Sequence, residues 1–414
     1  MHAEIISIGD EITSGQLLDT NAQWLSLRLE ELGIRVRYHT SVGDQLDAAA
    51  DVFRAAVRRC DVVLATGGLG PTADDLTREA IAEATGRELV LDPEALEHVR
   101  GMFARRAREM PKRNRQQAMF PAGARMIRNP NGTAPGIDLE VPREGAGPCR
   151  VIALPGVPAE IKEMWHDSVA DLLAGFGGGR RLVRHKRINC FGAGESHIEA
   201  MLPDLIRRGR QPRVGINASQ TTIILRITAE GATEETCYAA MGPTIATIRE
   251  NLGTLVFGED DDRLQDAVVR LLRRRKKTLA TVEWGTAGLV AGWLGGVAEA
   301  AGCYRGGLVV PDESALKNLL GVDEQFLAAH PPTGAELARA MAAGCRERFA
   351  SDYALAVGAF PEVDAEAPEP KPFYCALATA DRVNVERFPY AGHPATLTVF
   401  CAKRALNFVR LALL

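Results

Sequence analysis

The stretch TGGLGPTADDLT, Thr66 to Thr77, sets Gly67, Gly68, Gly70 and Pro71 just ahead of the adjacent Asp74 and Asp75. Without Cβ atoms, the three glycines let backbone N–H groups approach a ligand closely. A helix starting behind them adds unpaired donors and partial positive charge, an arrangement suited to phosphate. Two carboxylates beside a phosphate repel it unless a cation stands between. Asp74 and Asp75 therefore point to a hard divalent metal of the Mg²⁺ type, bridging acid and phosphate oxygens. The spacing of Thr72 and Asp75 also matches a capping box, in which acids simply open a helix. Taken alone, the stretch leaves both readings open.

Other chemistry-bearing residues fall in comparable places. GDEITSGQLLDTN carries Asp10, Glu11, Ser14, Gly15, Asp19 and Asn21 after a first strand pattern. LPGVPAE carries Gly156 and Glu160 after another, and NPNGTAPG at 129–136 is rich in turn formers. In a doubly wound sheet, ligands bind outside the carboxyl ends of the strands. Three of these stretches, TGGLGPTADD among them, follow strand patterns and so converge on one sheet edge.

The elements that must hold them alternate. AEIISIG, IRVRYHT, DVVLATGG and CRVIALPG read as strands. DTNAQWLSLRLEELG, QLDAAADVFRAAVRRC, DDLTREAIAEATG, PEALEHVRGMFARRA and PAEIKEMWHDSVADLLAGF read as helices. The fold class is α/β, with a mainly parallel, doubly wound sheet in residues 1–175. GFGGGRR, Gly175 to Arg181, reads as a linker. Residues 181–257 form a small α+β module: strand HKRINCF, helix ESHIEAMLPDLIRR, paired strands RVGIN and TTIILRITAEG, and helix TEETCYAAMGPTIATIRENLG. From 259 to 414 the β-α alternation returns, interrupted by the Pro- and acid-rich FPEVDAEAPEPKPF, Phe360 to Phe373.

Composition limits the partners. The 414 residues are 46% hydrophobic and 25% charged with a net charge of −4, which gives no electrostatic footprint for nucleic acid or an anionic membrane. The basic run Arg273–Lys277 ends a helical pattern, where cations favour the negative end of the dipole. The middle module carries no Gly-x-x-Gly clamp and no aromatic pair for RNA. Eight scattered cysteines without a Cys-x-x-Cys pair read as reduced, buried thiols. No signal peptide is apparent, and no apolar run approaches the about 20 residues of a membrane span. A cytoplasmic protein is expected.

GDEITSGQLLDTNAQWL, TGGLGPTADDLT, NPNGTAPG and LPGVPAEIKEM, with GAGESHIEAML and AELARAMAAGCRERF further on, resemble the CinA (competence/damage-inducible protein A) family along the whole chain. The resemblance implies a molybdopterin-binding-like first domain associated with metal-dependent cleavage of the pyrophosphate of ADP-ribose. It also implies a KH-type connecting module, a last domain like nicotinamide-nucleotide amidase, and a homodimer. By matching position, Asp74 and Asp75 are expected to be metal-associated acids, with Mg, Mn or Co as the cofactor. Gly67, Gly68, Gly70 and Thr72 are the expected phosphate cradle. Asp10, Glu11, Asn21, Gly156 and Glu160 are expected to line the same pocket. The catalytic acids are expected among Asp74, Asp75 and Glu11.

The last domain departs from those relatives. Where they carry Glu-Ser-Cys-Thr-Gly-Gly with a nucleophilic serine, this chain has EWGTAG, placing Trp284 at the serine. An indole has no activatable hydroxyl or thiol. GGLVVPDESALKNLLGV puts Pro311 at the relatives' tyrosine and Leu316 at their lysine. Lys317 stands one residue away, about 100° round the helix. The relatives' Gly-rich substrate loop is replaced by VGAFPEVDAEAPEPKPF. The domain is expected to fold but not to catalyse. The alternatives are a shifted amidase site using Thr286 or Ser314 with Lys317, and, for the first domain, a pterin- or nucleotide-binding protein without turnover.

Overall fold

A computed structural model describes residues 1–176, 182–207, 209–362 and 369–414. Most of the linker expected at 175–181 and the middle of the acidic stretch after Phe360 lie outside the described residues. Two compact units emerge, Met1–Arg184 with Glu230–Ala239, and His185–Ala229 with Ala240–Leu414.

In the first unit the strands are β1 (His2–Ile8), β2 (Arg35–Val42), β3 (Val62–Thr66), β4 (Leu89–Leu91), β5 (Met119–Pro121), β6 (Arg125–Ile127), β7 (Gly136–Arg143) and β8 (Ala146–Leu154). One sheet has the order β2-β1-β3-β8-β7-β6, while β4 and β5 form a separate ribbon. The first four strands of that sheet are parallel, β7 runs antiparallel to β8, and β6 antiparallel to β7. Successive strand residues face opposite ways. Ile5, Leu64 and Ile152 thus pack with Leu25 and Leu29 of helix Thr20–Glu31 and Met164 of helix Pro158–Met164. Ile6, Val63 and Val151 pack with Phe53 of helix Leu46–Arg59 and Ile81 of helix Thr77–Thr85. This is the doubly wound arrangement the alternating pattern predicts.

Three local details differ from the pattern. β7 is hidden in the sequence because Asp138 interrupts its apolar run. The structure buries that carboxylate against Arg150, with Oδ1 2.7 Å from Nε. The helix expected from Asp74 begins only at Thr77, because residues 72–75 form a turn of their own. At the sheet's edge, β2 turns Arg35, Arg37, Tyr38 and His39 to solvent. Arg59 lies 4.0 Å from the Tyr38 ring centroid while its Nε donates to buried Glu4 at 2.8 Å.

The second unit carries most of β9 (Leu182–Cys190), then β10 (Arg213–Ser219), most of β11 (Thr222–Gly231) and β12 (Val256–Glu259), ordered β10-β11-β9-β12. The helix read through ESHIEAMLPDLIRR stops at Met201. Pro203 has no N–H with which to continue it. Beyond lie β13 (Leu279–Glu283), β14 (Tyr304–Val309), β15 (Tyr353–Val357), β16 (Pro372–Ala378) and β17 (Val383–Pro389), ordered β14-β13-β15-β16-β17. The first three are parallel, β16 runs antiparallel to β15, and β17 antiparallel to β16. Helices Leu264–Arg275 and Pro394–Ala412 cover one face, and Ala335–Phe349 the other. Arg273, Arg274 and Arg275 close the last turn of their helix, as expected. Among the described residues, no helix is long and apolar enough to cross a membrane.

Candidate functional site

The carboxyl ends of β1, β2, β3 and β8 surround a cleft of about 550 Å³. Glu11, Asp44, Gly67, Gly68, Gly70, Asp74, Asp75, Gly156 and Glu160 line it, together with Gln117 and Thr133. The sheet edge thus brings together most of the residues singled out in the sequence. Asp10, Asn21 and Thr72 stand just outside the lining and act on it through neighbours.

The glycine loop is built as a close approach. Gly67 and Gly68 have φ of 97° and 61°, in the left-handed region that glycine alone enters freely. A Cβ on Gly67 would strike the Ile8 carbonyl, and one on Gly68 the Thr77 hydroxyl. Part of the expected amide cradle is already spoken for. The Gly67 N–H donates to Leu154 O at 3.1 Å and the Gly70 N–H to Asp75 Oδ1 at 2.7 Å. The Gly68 and Leu69 amides have no protein acceptor among the described residues. Beneath the loop, the fully buried Arg78 donates to the carbonyls of Leu69 and Gly70. Burial pushes its guanidinium down to about 10, against the pull of Glu79 and Asp75.

The two adjacent aspartates do different things. Asp75 turns back on its own loop. It accepts from Gly70 N, from Thr72 N at 2.8 Å and from the Thr72 hydroxyl. Both of its oxygens are therefore engaged, and Thr72 serves to hold Asp75. Asp74 has its side chain at the cleft and is exposed.

Asp44 is an acid that no motif flagged. In the parallel register Ile8 stands beside Val42, so Asp10 and Asp44 follow side by side. They exchange bonds: Asp10 N donates to Asp44 Oδ2 at 3.0 Å and Asp44 N to Asp10 Oδ1 at 3.1 Å. Burial raises Asp44's carboxyl above the ordinary carboxylate range. The Asp10 amide opposes the rise, and the charges of Asp10, Glu11 and Asp74 add to it. The one available signal was position, an acid directly after a strand in SVGD.

Asn21 donates from Nδ2 to Gly156 O at 2.8 Å and so braces the loop after β8. Asp19 caps its helix through Ala22 N at 2.9 Å. Glu160 accepts from Asn129 Nδ2 at 2.7 Å, and buried Asn129 also receives Gly132 N at 2.8 Å, shaping the NPNGTAPG turn. Gln117 donates to Thr133 Oγ1 at 3.2 Å and is itself held by Asn114. Asn129, Gln117 and Arg78 were not distinguishable by type, since they act on the cleft through loop backbone or a neighbouring side chain.

Five acids, Glu11, Asp44, Asp74, Asp75 and Glu160, line the cleft, and no lysine or arginine does among the described residues. An anion enters such a place only with a cation. Yet no three His, Cys, Asp or Glu side chains among the described residues are grouped to hold a metal by themselves. The donor set fits a Mg²⁺-type ion, which keeps several waters and takes one or two carboxylates plus substrate phosphates. It does not fit a closed protein cage.

In the last domain Trp284 packs against the cluster that holds Val310 and Leu316, and its backbone N–H donates to Val357 O at 3.0 Å. Leu316 is fully buried, Pro311 is exposed, and Lys317 pairs with Glu324 at 2.7 Å. Thr286 is buried, and its hydroxyl donates to Glu283 Oε2 at 2.6 Å. Glu283 also receives Val290 N at 3.0 Å and Ala291 N at 2.7 Å. The hydroxyl nearest the relatives' nucleophile position is thus committed to the start of helix Leu289–Gly295.

Comparison with known proteins places three family descriptions on the chain. They are a molybdopterin binding domain over residues 4–175, the KH domain of damage-inducible protein CinA over 185–258, and the CinA C-terminal domain over 261–413. A Symbiobacterium thermophilum chain named as a competence-damage inducible protein is 41% identical over 371 residues, 89% of this chain and 86% of that one. A CinA-like protein of Dictyoglomus thermophilum is 33% identical over 417 residues, covering 100% of each. The crystal structure of CinA from Thermoplasma acidophilum, described as of unknown function, is 34% identical and covers 42% of this chain and 99% of its own, with a TM-score of 0.38.

Proposed function

Because the chain belongs to the CinA family, we propose that its first domain is a divalent-metal-dependent hydrolase of the pyrophosphate in ADP-ribose or a similar nucleotide. The observation that carries this reading is the cleft itself. Carboxylates that follow four strands meet there with the amides of Gly68 and Leu69, and no lysine or arginine among the described residues lines it.

In this reading the Gly68 and Leu69 amides donate to phosphate oxygens. Thr77 keeps them aimed by donating to the carbonyls of the same peptides, from Oγ1 to Gly67 O at 2.8 Å and from N to Gly68 O at 3.2 Å, while Arg78 holds the next two carbonyls of the loop. Asp75 fixes the loop and is a positioning residue rather than a ligand. Asp74 is the exposed acid beside the diphosphate. Glu11 and Asp44 are the carboxylates available to orient a water and accept its proton. A bound Mg²⁺, Mn²⁺ or Co²⁺ would supply charge neutralisation and a lowered water pKa. The last domain is catalytically silent, because Thr286 is buried and engaged while Lys317 is paired elsewhere. The family further suggests a homodimer in the cytoplasm, which light scattering and fractionation would test.

The test is AMP release from ADP-ribose across a series of Mg²⁺, Mn²⁺ and Co²⁺, with ammonia release from nicotinamide mononucleotide run beside it. AMP formation that needs metal and is lost in Glu11→Gln supports the reading. A second reading, a nucleotide or pterin binder without turnover, is favoured by the lack of a three-ligand metal group among the described residues. Tight binding of ADP-ribose with no AMP formed under any metal would establish it instead.

A further inference from the structure

Within the second unit, a cavity of about 670 Å³ opens between Phe191, the turn joining β10 to β11, and helix Pro394–Ala412. That lies inside the about 300–1,000 Å³ typical of small-molecule sites. Its walls are aromatic. Phe191 and Phe400 meet edge to face with centroids 6.0 Å apart, and Phe388 lies beside them. Arg404 also lines it, with its guanidinium carbon 4.0 Å from the Phe400 ring centroid.

Three features separate this cavity from a packing gap. First, Thr221 lines it, and the Thr221 hydroxyl, enclosed behind that wall, has no hydrogen-bond partner among the described residues. Such a group costs free energy unless something bonds to it. Second, the turn that carries the hydroxyl is strained. Gln220 and Thr221 have φ of 46° and 66°. A two-residue hairpin turn of this kind calls for Asn-Gly, and a β-branched residue at positive φ is an outlier of the sort found at functional sites. Lys403 holds the turn in place, its Nζ donating to Gln220 O at 2.5 Å and to Thr222 Oγ1 at 2.8 Å. Third, two cations, Arg404 in the wall and Lys403 beside the turn, stand without an ion-pair partner among the described residues. Burial lowers Lys403 to about 8 and also lowers Arg404. Glu386 also lines the cavity and is exposed, and Arg404 donates from Nη1 to Pro389 O at 2.6 Å.

We propose that this cavity is a binding site for a planar aromatic anion. The ring lies among Phe191, Phe388 and Phe400, and the anionic group meets Arg404. The site is separate from the first domain's cleft and independent of the activity proposed for it.

Two dyes test this on the full chain: 1-anilinonaphthalene-8-sulfonate, and N-phenyl-1-naphthylamine, which has the same rings without the sulfonate. The sulfonate should bind saturably, about one per chain, and about tenfold or more tighter than the neutral dye, as expected for one charge-assisted contact. Arg404→Met should bring the ratio of the two affinities close to one. Gly194→Phe should block the mouth. Gly194 lines the cavity with φ −78°, ψ 164° and no atom within 4 Å of an added Cβ, so the fold accommodates the change. Sulfonate affinity should then fall about tenfold with the melting temperature unchanged. Equal affinity for both dyes in the natural protein overturns the proposal, as does sulfonate binding that ignores Gly194→Phe.

Discussion

Asp74 and Asp75 stand next to each other and have opposite fates. Asp75 accepts three contacts from its own loop, whereas Asp74 remains at the cleft. Asp75→Ala should therefore cost stability, about 1–3 kcal/mol for the donors it abandons, read as a lower denaturation midpoint. Glu11→Gln should leave that midpoint in place and reduce AMP release about 10²–10⁴-fold, the usual worth of a general acid or base. If Glu11→Gln and the natural protein turn over alike, Asp44 becomes the acid to replace. In the last domain, Trp284→Ser restores the relatives' residue type but should yield no ammonia from nicotinamide mononucleotide. Leu316 is still buried where their lysine stands, and Lys317 still pairs with Glu324.

At the scale of elements, the glycine loop is the most constrained segment of the cleft. Gly68→Ala places a Cβ against the Thr77 hydroxyl at φ 61°. Entering that region costs about 1–2 kcal/mol before any clash. The variant should lose stability by at least that much, together with nucleotide affinity, which calorimetric titration would follow. The elements themselves were readable because Ile5, Ile6, Leu64 and Ile152 lie in β-branched or leucine-rich runs, and because helical runs end at residues such as Gly86, which does adopt the left-handed cap. Asp44 was not readable. It belongs to the site only through the β1–β2 register, and a register is a property of two strands, absent from either one alone. The role of Asp75 was also hidden, because the same spacing suits a helix cap, a loop brace or a ligand. β7 was obscured by Asp138, whose partner Arg150 is on a neighbouring strand.

At the scale of the molecule, charge and thiols give two further expectations. Asp44's folded pKa lies above its ordinary value. The folded state thus holds that proton more tightly than the unfolded chain, and stability falls as pH rises through the carboxylate range. A cation in the cleft opposes this loss. The melting-temperature gain from added Mn²⁺ should therefore grow as pH rises through the carboxylate range, and shrink in Asp44→Asn. All eight cysteines are buried, and burial pushes the thiols of Cys149, Cys190, Cys345 and Cys401 up to about 12. Ellman's reagent should react slowly with the native chain and with all eight after denaturation, since thiolates do the reacting.

The rim strand β2 has one more implication. Its outward arginines, its histidine and the Tyr38 ring capped by Arg59 make a poor template for a foreign strand. Charged, occupied borders of this kind discourage ribbon-to-ribbon joining. Should two copies associate through their first domains, they would do so by surfaces other than this border. Neutralising Arg35 and Arg37 should raise the chain's tendency to fibrous self-association, which thioflavin T fluorescence would follow.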